Sequence, residues 1–332
     1  MAILIDEVIG HEQSIQQLDQ LVLSKRWPQA LIFVGPESVG KKKIALAYAQ
    51  TLICELKGSK ACGVCGSCIR VAKEQSENLK VLSTESGKVK DTTVKKANSK
   101  SLIKIEQVRD VLDFLSLSQK NQNRVIIIDE AELLNPQAAN ALLKTLEEPT
   151  DNVYFILITS ELNSLLATIR SRAQIIRFKS LSETNLAQIQ PKADLWAYKS
   201  ARGQIEKLKS MIQSDQIAKR TDLFHFFESF WTQKDFLNQP DWRDKYKERS
   251  KAVLTLNFWL EIVRDLMVMK TGDEKSVIHH DQNQVLQKLM FISSDKLSFF
   301  SEALIQAEKD IQHNSDSVLV LENLWVTHAR AN

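Results

Sequence analysis

The chain of 332 residues contains 43% hydrophobic residues, which is enough for more than one core at about 100–200 residues per domain. Its 44 Lys and Arg against 41 Asp and Glu leave a net charge of +3, so it cannot coat nucleic acid by bulk charge. Only 9 glycines and 6 prolines occur, and this scarcity of helix breakers favours a largely helical protein and excludes collagen-like and low-complexity classes.

The N-terminal residues, MAILIDEVIG, include two acids and neither a basic start nor a long apolar run, so no secretory signal is predicted. The most apolar stretch, residues 252–260, has about half the length needed to span a bilayer. The sequence therefore predicts a cytoplasmic protein without a membrane segment.

In the first half of the chain, apolar runs alternate with helical patterns. The runs ALIFV, VIII and VYFILIT are each apolar throughout, and the first two lead into stretches with apolar residues at helical spacing. Strands of this kind are typical of a parallel sheet covered on both faces. The pattern predicts one α/β domain over residues 1–180.

Beyond residue 181 the pattern is amphipathic and helical, and no comparable strand is predicted. A polar stretch near residue 214 marks a second boundary, which gives a small helical domain over 181–214 and a larger one over 215–332. His279 and His280 adjoin a polar turn and are predicted to be exposed.

One segment, residues 80–104, differs from the rest in charge. It contains seven lysines and two acids and no aromatic residue, a net charge of +5. Because aromatic side chains for base stacking are missing, a solvated basic loop is favoured over a DNA contact.

GPESVGKK lies between a predicted strand and a predicted helix and matches the phosphate-loop pattern G-x-x-x-x-G-K, with Gly35, Gly40 and Lys41 at the fixed positions. Backbone N–H groups there would hold phosphates while Lys41 reaches the terminal ones. The next position requires a hydroxyl for Mg²⁺, but Lys42 carries an ammonium. The loop predicts ATP or ADP binding with little hydrolysis; the alternative is a glycine turn without a ligand.

Asp129 and Glu130 end the second apolar run. A nucleotide-hydrolysing site needs one acid for the metal shell and another to polarise water, and these two residues are the candidates. The alternative for Asp129 is a helix cap.

All four cysteines are close in sequence, as Cys54, Cys62, Cys65 and Cys68. Four thiolates at this spacing suit tetrahedral, structural Zn²⁺, and they leave no open position for catalysis. An iron–sulfur cluster and free thiols are the alternatives.

Arg170 and Arg172 follow the third strand, at the edge of the α/β domain. Arginines at such an edge are ordinarily solvated or salt-bridged. The functional alternative is an arginine finger directed at the nucleotide of a neighbouring subunit.

From about residue 8 to 180, the chain resembles the bacterial AAA+ clamp-loader proteins of DNA polymerase III. The segments that carry the resemblance, in chain order, are VIGHEQSIQQL, the phosphate loop, the cysteine cluster, VIIIDEAELLNPQAANALLKTLEEP and TIRSRAQ. The C-terminal half matches weakly. The resemblance implies an AAA+ α/β domain with an inserted zinc module (54–68), a helical lid (181–214) and a helical collar (215–332) that closes a five-membered ring.

The resemblance also implies roles for single residues. Arg172 matches the arginine of the family's S-R-C motif, although Ala173 replaces the cysteine. Thr159 or Ser160 falls at the first sensor position. Val8 and Ile9 would line the adenine pocket.

Two departures from the family pattern favour a subunit that does not hydrolyse ATP. Lys42 degrades the phosphate loop, and Glu206 stands where the lid arginine is expected after Gly203. A carboxylate there would repel the phosphates that an arginine clasps.

The resemblance thus predicts a subunit of the polymerase holoenzyme with little ATPase of its own. Its partners would be the gamma/tau and delta subunits and, through the complex, the sliding clamp and primer–template DNA. One alternative is an active gamma/tau-type ATPase. Another is a zinc-dependent nucleic-acid-binding protein on an inactive scaffold.

Overall fold

A computed structural model gives the fold for most of the chain. It describes residues 5–24, 27–56, 58, 60–84, 102–116, 122–148, 151–233, 236–238 and 242–328. The chain divides into two compact units, Met1–Pro191 with Arg202–Glu206, and Lys192–Ala201 with Lys207–Asn332. Most of the basic 80–104 segment, residues 85–101, lies outside the described residues.

The first unit is built on a five-stranded parallel sheet. Its strands are β1 (Ala30–Val34), β2 (Leu79–Leu82), β3 (Arg124–Ile128), β4 (Val153–Thr159) and β5 (Gln174–Arg177). They lie in the order β2-β3-β4-β1-β5, and every neighbouring pair is parallel. Its helices are α1 (Glu12–Leu23), α2 (Lys41–Ile53), α3 (Gly66–Ala72), α4 (Ile105–Ser116), α5 (Pro136–Glu147), α6 (Ala167–Arg170) and α7 (Glu183–Ile189).

Burial on both faces explains the sequence of the central strands. All residues of β1 and β3 are buried, so no position on these strands alternates to solvent. One face packs in a core with Val108 and Val111 of α4 and Leu142 of α5. Because parallel strands end at the same sheet edge, the turns after β1, β3 and β4 come together there.

The apolar runs predict β1, β3 and β4, whereas β2 and β5 have no comparable run in the sequence. Both are short edge strands with only partial burial. An edge strand has one sheet neighbour and needs fewer apolar side chains, so it leaves a weak sequence signal.

The second unit is helical throughout its described part. Its helices are α8 (Leu195–Ala201), most of α9 (Ile205–Met211), α10 (Ser214–Thr232), α11 (Trp242–Tyr246), α12 (Arg249–Thr271), α13 (Asn283–Lys288), α14 (Ser294–Gln312) and α15 (Ser317–His328). The core centres on Trp259 with Phe227, Phe230 and Phe300 around it, all at most 1% exposed. Each such side chain contributes about 1.5–3 kcal/mol relative to exposure.

The structure corrects the prediction that His279 is exposed, because its side chain is completely buried. Arg220 donates to His279 Nδ1 at 3.0 Å, so the ring proton is on Nε2, 3.5 Å from Glu261 Oε2. Burial opposes ionisation of Glu261, but bonds from His279 and Ser200 and the charge of Lys207 outweigh it and lower its pKa to about 2.

The two units do not follow the predicted three-part division, which stays a prediction. Residues 181–191 and 202–206 belong to the first unit, and 192–201 and 207–214 to the second. The predicted boundary near 214 coincides with the start of α10. Of the helices in the described ranges, none combines the length and the apolar character that crossing a membrane requires.

Candidate nucleotide and metal sites

The phosphate-loop motif forms the turn between β1 and α2, as the sequence predicted. A Cβ atom on Gly35 would lie 2.2 Å from the carbonyl oxygen of Phe178, so only glycine fits at the start of the loop. Gly40 precedes α2 with φ 102°, a conformation that side chains disfavour. The backbone geometry that the motif requires is therefore present.

Lys41 is the buried cation of this loop. Its side chain is 6% exposed, and its Nζ donates to the carbonyl oxygens of Gly35 and Pro36 at 2.6 and 2.5 Å. Burial lowers its pKa, and the charges of Glu132 and Asp129 act in the opposite direction. The ammonium lies inside the loop, where it can exchange these carbonyls for phosphate oxygens.

Lys42 does not provide a metal ligand. Its Nζ forms an ion pair of 3.0 Å with Glu74, and both side chains are 37% exposed. The residues of the loop thus fit a phosphate group, whereas position 42 does not fit the Mg²⁺ that usually accompanies it.

Asp129 and Glu130 follow β3 and lie beside the loop. Burial raises the pKa of Asp129, and the charge of Lys42 partly counters this. Glu130 has φ 54°, an uncommon conformation for a residue other than glycine. Its carboxylate accepts a 2.7 Å hydrogen bond from Thr84, two residues beyond the end of β2. The two predicted acids therefore lie at the sheet edge with Lys41 and Lys42.

Thr159 and Ser160, the predicted sensor positions, connect β4 to this edge. Gly35 N donates to Thr159 O at 3.2 Å. Glu132 accepts from Ser160 N at 3.2 Å and from Ser160 Oγ at 2.7 Å. Burial opposes ionisation of Glu132, but the bonds from Ser160 and Thr159 outweigh it and lower its pKa.

Val8 and Ile9, the predicted adenine-pocket residues, are both half-buried. They precede His11, whose Nε2 donates to the carbonyl oxygen of Val39 in the phosphate loop at 2.8 Å. This bond places the N-terminal segment beside the loop.

Glu206, which stands where the family pattern has a lid arginine, follows a residue that is bonded to the phosphate loop. Ile205 N donates to Ser38 O at 2.9 Å, which fixes the start of α9 against the turn. The following residue, Glu206, is exposed. Its carboxylate adds negative charge close to a turn that would bind anionic phosphates.

Arg172 lies between α6 and β5, on the surface. Its Nη2 pairs with Glu147 Oε1 at 2.7 Å, and its Nη1 donates to Thr168 O at 3.0 Å. Arg170 is half-buried and donates to Asn163 at 3.0 Å. The Arg172 side chain is thus partly exposed and bonded to Glu147 and Thr168, while Arg170 is bonded to Asn163.

The four cysteines form one cluster, and their sulfur atoms all lie within 4.8 Å of one another. All four are free thiols. A tetrahedral site with Zn–S bonds of about 2.3 Å has sulfur–sulfur edges of about 3.8 Å. The Sγ atoms of Cys62 and Cys68 are 3.9 Å apart, so the donor set fits a metal ion.

Backbone N–H groups surround the sulfurs and favour thiolates. Cys65 N donates to Cys62 Sγ at 3.3 Å, and Cys68 N to Cys65 Sγ at 3.4 Å. Such bonds, from Cys65 and Val64, lower the pKa of Cys62 to about 6. Burial raises the pKa of Cys68, a cost that a bound cation would offset. The cluster joins the end of α2 to the start of α3.

Three acids at these sites are not among the residues predicted from the sequence: Glu74, Glu132 and Glu147. Glu132 belongs to the DEAE run that follows β3, so its position two residues after Glu130 could have been noticed. Glu74 and Glu147 act as partners of Lys42 and Arg172, which are remote in sequence, and nothing local in the sequence indicates these pairs.

Comparison with known proteins identifies the family. The sequence profile of the family described as "DNA polymerase III, delta subunit" matches residues 10–182, more than half of the chain. The chain belongs to this family, among the delta-prime subunits of the bacterial clamp loader. The α/β fold class with a parallel sheet, which the resemblance implied, is confirmed.

Several relatives align along much of the chain. A delta-prime subunit from Bacillus subtilis is 24% identical over 310 residues, 90% of each chain. One from Yersinia pestis is 27% identical over 87% of this chain and 82% of its own. A tau subunit from Bacillus subtilis is 31% identical over 53% of this chain and 29% of its own. A solved Thermotoga maritima protein related to the gamma subunit is 17% identical, over 96% of this chain and 99% of its own, with a TM-score of 0.46.

Proposed function

We propose that this chain is the stator of a clamp loader, a subunit that helps place the sliding clamp on primer–template DNA. In a five-membered ring with gamma/tau and delta subunits, Arg172 completes the ATP site of the neighbouring gamma/tau subunit. The chain itself hydrolyses little or no ATP. It acts in the cytoplasm as part of the polymerase holoenzyme.

The observation that carries this proposal is the ion pair between Lys42 and Glu74. Position 42, where a nucleotide-hydrolysing site has a hydroxyl ligand for Mg²⁺, carries instead an ammonium paired with a carboxylate. Lys41 remains in the loop as a cation that can bind phosphate, and Asp129 and Glu130 remain beside it as acids for a metal shell and a water. A loop of this composition supports retention of ATP or ADP without turnover.

The exposure of Arg172 supports the second half of the proposal. A finger acts on a neighbour's nucleotide and must reach solvent on its own subunit, and the Arg172 side chain is 34% exposed. Its guanidinium would stabilise the charge that spreads over the phosphoryl oxygens in the transition state.

The cofactor proposal is one structural Zn²⁺ held by Cys54, Cys62, Cys65 and Cys68. The four sulfurs and their N–H donors support it. When bound, the ion supplies a cross-link between α2 and α3 and no catalytic chemistry. For the rest of the chain we retain the proposed lid over 181–214 and collar over 215–332.

We expect the purified chain to show no appreciable ATPase activity, and Lys42→Thr to leave turnover well below that of a gamma/tau subunit. The threonine would restore a metal ligand, but Glu206 would still disfavour phosphates at the lid. Phosphate release, measured with primed DNA and clamp present, tests the turnover. Binding of a fluorescent ATP analogue with and without Mg²⁺ tests whether the threonine hydroxyl acts as a ligand for Mg²⁺.

Lys43→Thr is the matched control because Lys43 is the exposed next residue of the same helix. Lys42→Thr should gain Mg²⁺-dependent binding, and Lys43→Thr should not. Rapid DNA-stimulated hydrolysis by the unmutated chain would overturn the proposal in favour of an active gamma/tau-type ATPase.

A further inference from the structure

Glu147 occupies an electrostatically unfavourable place, the last residue of α5. The C-terminal end of a helix carries partial negative charge and favours cations, yet α5 ends in two adjacent acids, Glu147 and Glu148. Lys144 lies three residues earlier in the same turn. The ion pair that the structure gives Glu147 is nevertheless with Arg172, which is remote in sequence.

The pair orients the guanidinium of Arg172 from one side. Glu147 Oε1 contacts Nη2 at 2.7 Å, and the carbonyl oxygen of Thr168 accepts from Nη1 at 3.0 Å. Ser171 Oγ lies 3.4 Å from the same Nη1. Two different nitrogens of the planar group are thus bonded in different directions, which fixes its orientation as a single contact would not.

The backbone beneath this group is anchored. Ile169 is completely buried, and Arg172 N donates to Ile169 O at 3.1 Å. Two residues later β5 begins, and it pairs with β1, the strand that leads into the phosphate loop. With the backbone held, the remaining freedom of Arg172 is in its long side chain, and Glu147 restrains that freedom.

We propose that Glu147 is the positioning residue of the arginine finger, a carboxylate that keeps the guanidinium of Arg172 oriented until phosphoryl oxygens of a neighbour's nucleotide contact it. This inference rests on the proposed function of Arg172. Among the described residues, the ion pair and hydrogen bonds of the Arg172 guanidinium involve Nη1 and Nη2, so Nε is the donor that can first contact an incoming phosphate.

The ion pair between Arg172 and Glu147 is accessible to water, so it can orient the guanidinium without holding it permanently. The Arg172 and Glu147 side chains are 34% and 46% exposed, and ion pairs this accessible to water are weak. A phosphate group carries more charge and more acceptor oxygens than one carboxylate, so it can compete for the guanidinium. Glu147 therefore orders the finger without preventing its use.

The test uses the reconstituted clamp-loading complex with Glu147→Gln in this chain. The amide keeps the size of the side chain but removes its charge. We expect clamp-stimulated ATP hydrolysis at the affected site to fall roughly tenfold in kcat, below the 10²-fold that a misplacement of 1 Å can cause. KM for ATP and ring assembly should change little, and Glu147→Asp should recover part of the activity.

Glu148→Gln is the matched control because Glu148 is the exposed acid that follows Glu147 and caps the same helix end. It should behave as the unmutated chain. In an Arg172→Ala background, Glu147→Gln should cause no further loss, since a positioning residue acts only through the group that it positions.

The outcomes separate this inference from the function on which it rests. If Arg172→Ala lowers hydrolysis but Glu147→Gln does not, the positioning role is wrong and the finger stands. If Glu147→Gln lowers hydrolysis equally with and without Arg172, its effect is structural and the inference is overturned. If Arg172→Ala has no effect, the proposed function itself fails.

Discussion

Replacing Arg172 by Ala should leave folding and ring assembly nearly intact and remove most ATP hydrolysis from one site of the complex. The side chain is a surface group, and its ion pair with Glu147 is exposed to water, so its loss should cost at most about 1 kcal/mol of stability. The catalytic loss at that site should be on the order of 10³–10⁵, the contribution of a guanidinium to the transferring phosphoryl group.

Only one of several ATP sites should be affected, so residual hydrolysis from the others should remain while clamp loading fails. Single-turnover experiments on the reconstituted complex measure the residual hydrolysis, and a clamp-loading assay measures the loss of loading. Arg170→Ala is the control, because Arg170 is half-buried and bonded to Asn163. If Arg172→Ala loads clamps at the normal rate, Arg172 is an ordinary surface arginine.

The second large effect is expected at the cysteine cluster. The purified chain should contain one zinc per molecule, and Cys62→Ser should lower zinc affinity at least roughly 100-fold, more than the loss of a supporting residue typically causes. Because the cluster joins α2 to α3, removal of the metal should expose residues 60–72 to hydrogen exchange. The central strands should remain protected, since they are buried independently of the cluster.

Elemental analysis and hydrogen exchange before and after chelation measure these effects. Ser67→Ala, a change next to Cys68 in the same helix, should retain one zinc, because Ser67 bonds Glu55 and supplies no sulfur ligand. Iron in place of zinc, or less than half a metal atom per chain, would contradict the zinc proposal. Unchanged hydrogen exchange after complete removal of the zinc would contradict the structural role of the metal.

The features that sequence reasoning found are those fixed by local pattern. Strands β1, β3 and β4 are buried on both faces, so they appear as uninterrupted apolar runs. The phosphate loop and the cysteine spacing are equally local. Their backbone turns require particular residues at fixed intervals, and the structure brings the four sulfurs together as predicted.

The features that local sequence pattern does not reveal depend on tertiary position. Burial of His279 follows from the packing of Arg220 and Glu261 around it, and a polar turn in the sequence does not reveal this. Lys42 was recognised as an unusual residue, but its partner Glu74 was not. Such pairs depend on how distant elements pack, which helical or strand periodicity does not encode.

The most direct test of the proposed function is clamp loading by gamma/tau and delta subunits with and without this chain. With the chain present, we expect a stable complex that places the clamp on primed DNA in an ATP-dependent manner. Without it, the ring should lack the subunit that supplies Arg172, and loading should fall to background. Equal loading with and without the chain, or failure of the chain to co-purify with these subunits, would contradict its role as the stator.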